Sequence, residues 1–105
     1  MKSFEYAAPD SIRDATALLA STWGKTEVLA GGTDLVTCLK QHLTDPERVV
    51  SLRKIKELRG IKSETNALRI GAMTTLAELA GHKTVQSQFP SLVTAVKGIG
   101  SPQLL

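Results

Sequence analysis

The stretch Glu27-Val28-Leu29-Ala30-Gly31-Gly32-Thr33-Asp34-Leu35 constrains this chain more than any other. A short apolar run stops at a glycine pair, two residues with short oxygen side chains follow, and a periodic segment runs on from Leu35 to Gln41. That order predicts a strand, a tight turn and a helix start. Glycine reaches backbone angles that other residues resist and lets a ligand approach the main chain closely, while Thr33 and Asp34 are helix-capping residue types. The product is a cluster of backbone N–H donors near a helix N-terminus, which suits a phosphate or pyrophosphate. A Gly-Gly turn also serves as a plain connection, and the residues alone leave both readings open.

The flanking segments alternate in the same way. Phe4 to Ala8 reads as a short extended lead-in, stopped by Pro9-Asp10-Ser11. Ser11 with Asp14 has capping-box spacing, and Ile12, Ala15, Leu18 and Leu19 recur on one helical face that Gly24 is expected to end. Thr26 to Ala30 has consecutive apolar residues, as in a strand covered on both faces. Leu35, Val36, Leu39 and Leu43 predict a second helix, closed by Thr44-Asp45-Pro46, and Arg48 to Leu52 a second strand. After a helical turn over Lys54 to Leu58, alternation around Glu64-Thr65-Asn66 predicts a hairpin. Thr75 with Glu78 predicts a capped helix ended by Gly81, and the Thr74-Thr75 pair is a candidate ligand contact. Val85 to Phe89 makes a short helical turn, and Leu92, Val93, Val96 and Ile99 mark the last helix, closed by Gly98 and Gly100. Strands alternating with helices predict an α/β (α+β) fold, a small mixed sheet flanked by helices.

Composition narrows the chemistry. At 105 residues the chain is one small domain, and its formal charge of +3 suits an anionic ligand without the dense clustering of a dedicated nucleic-acid binder. The basic run from Arg53 to Lys62 includes Glu57, has Ile55, Leu58 and Ile61 every third residue and interleaves no aromatic side chain, so it reads as a solvated face. Cys38 is the sole cysteine and reads as a packing residue; no Cys or His group has metal-site spacing. His42 and His82 stand alone and read as surface residues. No GxGxxG or P-loop pattern occurs. Without a signal-peptide core or a long apolar run, the chain reads as cytoplasmic and not inserted in a membrane.

Three motifs in order carry a resemblance. Leu29-Ala30-Gly31-Gly32-Thr33-Asp34-Leu35, then Leu68 to Leu79 (LRIGAMTTLAEL), then Ile99-Gly100-Ser101-Pro102-Gln103 resemble the N-terminal part of the flavin-binding medium subunit of molybdenum hydroxylases, the xanthine dehydrogenase and carbon monoxide dehydrogenase type. The resemblance runs from Pro9 onward. It implies the N-terminal subdomain of a PCMH-type, vanillyl-alcohol-oxidase-like FAD domain over residues 1–105. In such proteins the segment resembling Glu27, Val28, Leu29, Ala30, Gly31, Gly32, Thr33 and Asp34 wraps the FAD pyrophosphate through main-chain amides. The implied partners are a molybdopterin-binding large subunit and an iron–sulfur small subunit, which hold the molybdenum cofactor and the clusters. Electrons pass from them to FAD and on to NAD or another acceptor. No catalytic side chain and no metal ligand is implied here.

The family pattern continues with an aliphatic residue, Arg-Asn and a second glycine motif. Here Leu104 fits the aliphatic place, and Leu105 stands where the Arg is expected. The sequence thus reads as truncated before the second glycine motif, and the chain alone is expected to fold marginally and to hold FAD weakly or not at all. The rival reading is a cofactor-less interaction module, or a non-functional remnant, of the same subunit.

Overall fold

The computed structural model describes residues 2–99, in two compact units that divide between Glu57 and Leu58. The expected closure at Gly100, the motif Ser101-Pro102-Gln103 and the apolar Leu104 and Leu105 lie outside the described residues.

The first unit is built on three parallel strands, β1 (Glu5–Ala7), β2 (Thr26–Leu29) and β3 (Arg48–Ser51), in the order β1-β3-β2. Helices α1 (Ile12–Leu18) and α2 (Leu35–Lys40) make the crossovers. The lead-in is therefore a strand in its own right: Tyr6 pairs with Val49 and Ala7 with Val50, while Val28 pairs with Val50 from the other side. The central β3 carries the core. Val49, Val50 and Ser51 are buried, joined by Ala15, Leu39, Pro46 and Ile55.

Several boundaries differ from the sequence expectation. Ser11 caps α1 as its spacing predicts, accepting from the Asp14 amide at 3.1 Å. The helix then stops at Leu19, which turns extended, well before Gly24. Gly24 serves instead in the reverse turn from Thr22 to Lys25, with φ +85°. Of the expected apolar face only Ala15 is buried, while Ile12 and Leu19 are exposed. Strand β2 is likewise open on one side, with Val28 42% exposed, so it is not covered on both faces within the described residues. Leu43 lies past the end of α2 and is exposed, because His42 takes a left-handed φ of 56° and ends the helical phase.

The second unit pairs β4 (Ile61–Glu64) with β5 (Ala67–Ile70) in an antiparallel hairpin. This hairpin is a separate two-stranded sheet, so the larger sheet is purely parallel and not mixed. A two-residue turn leaves its strands to pair locally, and its alternating face packs on helices instead: Ile61 and Leu68 lie against Leu79, Val85 and Val96. These last three come from α3 (Leu76–Gly81), α4 (Lys83–Gln88) and α5 (Pro90–Lys97). On the hairpin surface Glu64 accepts from Arg69 Nε at 2.8 Å, and this bond raises the guanidinium pKa above its ordinary value. Thr75 caps α3 by accepting from the Glu78 amide at 3.1 Å. Gly81 is the last helical residue, and His82 follows it as the cap. His82 is half-buried with an unpartnered, buried Nδ1, so it is not a surface histidine; His42 is exposed and meets Asp45 at 3.0 Å. No helix among the described residues is long and apolar enough to cross a membrane.

Candidate functional site

The glycine turn stands at the C-terminal end of β2, where open α/β sheets place their ligands. A cleft of about 480 Å³ opens there, within the usual range for small-molecule sites. It is lined by Glu27, Val28, Ala30, Gly31, Gly32, Thr33 and Asp34 together with Trp23, Leu35, Cys38, Leu43 and Thr44. Seven of the eight residues that the sequence singles out are thus brought to one cavity. Leu29 is the exception: its carbonyl accepts from Leu52 N at 3.0 Å, and its Cδ1 packs toward Gly32.

The two glycines do different things. Gly32 has φ +82°, and a Cβ on it would meet Leu29 Cδ1 and Val36 Cγ2, both at 3.2 Å, so the turn itself requires glycine. Gly31 needs no special φ, and a Cβ there would meet no atom within 4 Å. Its missing side chain leaves space in the cleft and relieves no contact. Past the turn, Val36 N donates to Gly32 O at 3.1 Å and Cys38 N to Asp34 O at 3.0 Å. The amides of Gly31, Gly32, Thr33 and Asp34 have no protein acceptor among the described residues. Four donors at one tight turn are what an anionic oxygen needs.

Asp34 does not cap α2. Its backbone is already helical, at φ −101° and ψ −47°, unlike the extended backbone of a capping residue, and its side chain makes no cap hydrogen bond. Asp34 Oδ2 lies 3.9 Å from Cys38 Sγ, and the Cys38 thiol is half-buried as a packing residue would be. Glu27 is held by Thr44, whose hydroxyl donates to Glu27 Oε1 at 3.1 Å. Both carboxylates would repel a phosphate, which leaves the amides of the turn as the part of the cleft suited to an anion.

Sequence reasoning missed Trp23, Leu43 and Thr44 as cleft residues. Their signal lay in position: Trp23 precedes the turn glycine Gly24, and the other two follow α2, so all three fall beside β2 only once the sheet forms. The Thr74-Thr75 pair proves structurally committed. Thr74 Oγ1 accepts from Gly60 N at 3.0 Å and donates to Gly60 O at 3.2 Å, and Thr75 is the α3 cap.

Comparison with known proteins shows the family. A family described as the FAD binding domain in molybdopterin dehydrogenase matches residues 2–104. The chain is 40% identical over 101 residues to the carbon monoxide dehydrogenase medium chain of Hydrogenophaga pseudoflava, covering 96% of this chain and 35% of that one. It is 35% identical to the nicotinate dehydrogenase FAD-subunit of Eubacterium barkeri, covering 99% of this chain and 36% of the relative. Among solved structures, the reconstituted CO dehydrogenase from Oligotropha carboxidovorans superposes with a TM-score of 0.90 at 39% identity, over 97% of this chain and 36% of that chain. The chain therefore spans about a third of the length of these relatives. With the family match running through nearly every residue and the same fold in its relatives, the chain belongs to the FAD-binding domains of molybdopterin dehydrogenases.

Proposed function

We propose that the turn from Ala30 to Asp34 holds the pyrophosphate of FAD, as part of the flavin-binding subunit of a molybdenum-dependent oxidoreductase. The observation that carries this reading is the set of four amides at Gly31 to Asp34 with no protein acceptor among the described residues, in residues that line the cleft where a Gly31 Cβ would meet no atom. Charge-assisted bonds from such amides are the stronger kind and suit a group with two negative phosphates. Thr33 adds a hydroxyl donor beside them. Glu27, fixed by Thr44, and Asp34 accept from the cofactor's hydroxyl or ring N–H groups and so orient it.

When bound, FAD supplies the redox chemistry, taking electrons relayed from a molybdopterin-binding large subunit by an iron–sulfur small subunit and passing them to NAD or another acceptor. In this reading the residues of the cleft bind and position the cofactor, and none of them is assigned a catalytic step. Relatives called medium chain and FAD-subunit support a place in such an assembly. Titration of the ¹⁵N-labelled chain with inorganic pyrophosphate and with FAD, at up to millimolar ligand, tests the reading. The Gly31 and Gly32 amide resonances are expected to move with both ligands, and Gly31→Val to lose those shifts while its circular dichroism stays that of the parent. Unmoved glycine amides, or full binding by Gly31→Val, would overturn it.

A further inference from the structure

Trp23 is the most exposed large apolar side chain among the described residues, at 91%. Tryptophan is normally well buried, and a single indole this open leaves a large apolar surface in water. Its backbone is not free. The turn closed by Lys25 N to Thr22 O, with Gly24 at φ +85°, sets Trp23 at the first central position of a type II-like turn. That turn leads straight into β2, so the indole stands before the N-terminal end of the strand whose C-terminal end carries the glycine turn, and both line one cleft.

The cleft is divided chemically. The amides of Gly31 to Asp34 offer donors for an anion, while Trp23, Val28 and Leu43 are apolar and 91%, 42% and 72% exposed. A bare phosphate would answer only the first part. A ligand that answers both carries an anionic group next to a flat apolar ring, and Trp23 is the one aromatic side chain lining the cleft. We propose that the Trp23 indole is the face on which a heteroaromatic ring of the dinucleotide stacks. This rests on the reading of the glycine turn as a pyrophosphate site and adds the residue that tells a nucleotide from a free diphosphate. FAD has two such rings, adenine and isoalloxazine, with the same stacking chemistry; ADP carries the first and FMN the second.

Because Trp23 is the only tryptophan, its indole N–H gives one unambiguous resonance in the ¹⁵N-labelled chain. Inorganic pyrophosphate is expected to move the Gly31 and Gly32 amides and leave the indole in place. FAD is expected to move both, and the indole should follow whichever of ADP or FMN carries the stacking ring. Trp23→Ala should weaken FAD binding about tenfold or more, as loss of an aromatic platform does, with pyrophosphate binding unchanged. Trp23→Phe should keep most of the affinity and Trp23→Leu should not, which separates stacking from mere apolar cover. An indole unmoved by FAD while the glycine amides respond, or a Trp23→Ala chain that binds FAD as the parent does, would overturn the stacking and leave the pyrophosphate site standing. If neither FAD nor pyrophosphate moves the glycine amides, both fall together.

Discussion

Thr44 Oγ1 donates to Glu27 Oε1 across 3.1 Å and so ties the loop that leaves α2 to the middle of β2. The bond holds a wall of the cleft, since both residues line it. Thr44→Val is expected to cost about 1 kcal/mol in urea unfolding, the size of one part-buried hydrogen bond. Combining it with Glu27→Ala should reveal a coupling of about the same size. Additive single effects would show that the two side chains act independently.

The glycine pair should respond asymmetrically to alanine. At Gly32 the left-handed φ and the two 3.2 Å contacts make Gly32→Ala destabilising, by about 1–2 kcal/mol. At Gly31 the added methyl meets nothing, so Gly31→Ala should leave the melting temperature within error and show itself only in ligand titrations. Equal loss of stability at the two positions would contradict the turn geometry.

Gly71 is the least replaceable glycine among the described residues of the second unit. A Cβ there would run into the Leu58 carbonyl, reaching its carbon at 2.6 Å and the Arg59 nitrogen at 2.9 Å. All are backbone atoms, held by Gly71 N to Gly60 O at 2.9 Å and Met73 N to Leu58 O at 2.7 Å. No side chain can swing aside, and Gly71→Ala is expected to cost about 3 kcal/mol or more. Amide exchange read along β4 and β5 would show it. Unchanged protection there would rule the clash out.

Helix α3 depends on its cap. Thr75 satisfies the Glu78 amide and donates its hydroxyl to Glu78 Oε1 at 3.1 Å. Thr75→Ala should lose about 1 kcal/mol, and Thr75→Ser should recover most of it, because serine caps as well as threonine and keeps the hydroxyl that donates to Glu78. A Thr75→Ala chain as stable as the parent would mean that α3 is held by packing alone.

Local chemistry was legible in the sequence. The strand, glycine turn and helix around Gly31 and Gly32, the Ser11 and Thr75 caps and the hairpin across Thr65-Asn66 all depend on residues within a few positions of one another. Spacing alone identifies them. The three motifs that carry the family resemblance are local in the same sense, and the family match through residues 2–104 agrees with them.

Tertiary structure decided whatever depends on partners far along the chain. The three residues of β1 carry no strong strand signal, and Glu5–Ala7 became a strand because β3 offered a parallel neighbour more than forty residues away. The hairpin stayed out of the larger sheet because its alternating face found the α3 to α5 helices. Asp34 has the residue type of a cap, yet its backbone entered the helix early, so its carboxylate was left for the cleft. Trp23 looked unremarkable between a helix and a strand. Only the folded chain, with the turn at Gly24 before β2, brings it to the cleft that Gly31 also lines, since sharing a cleft is a property of the folded sheet and has no counterpart in residue spacing.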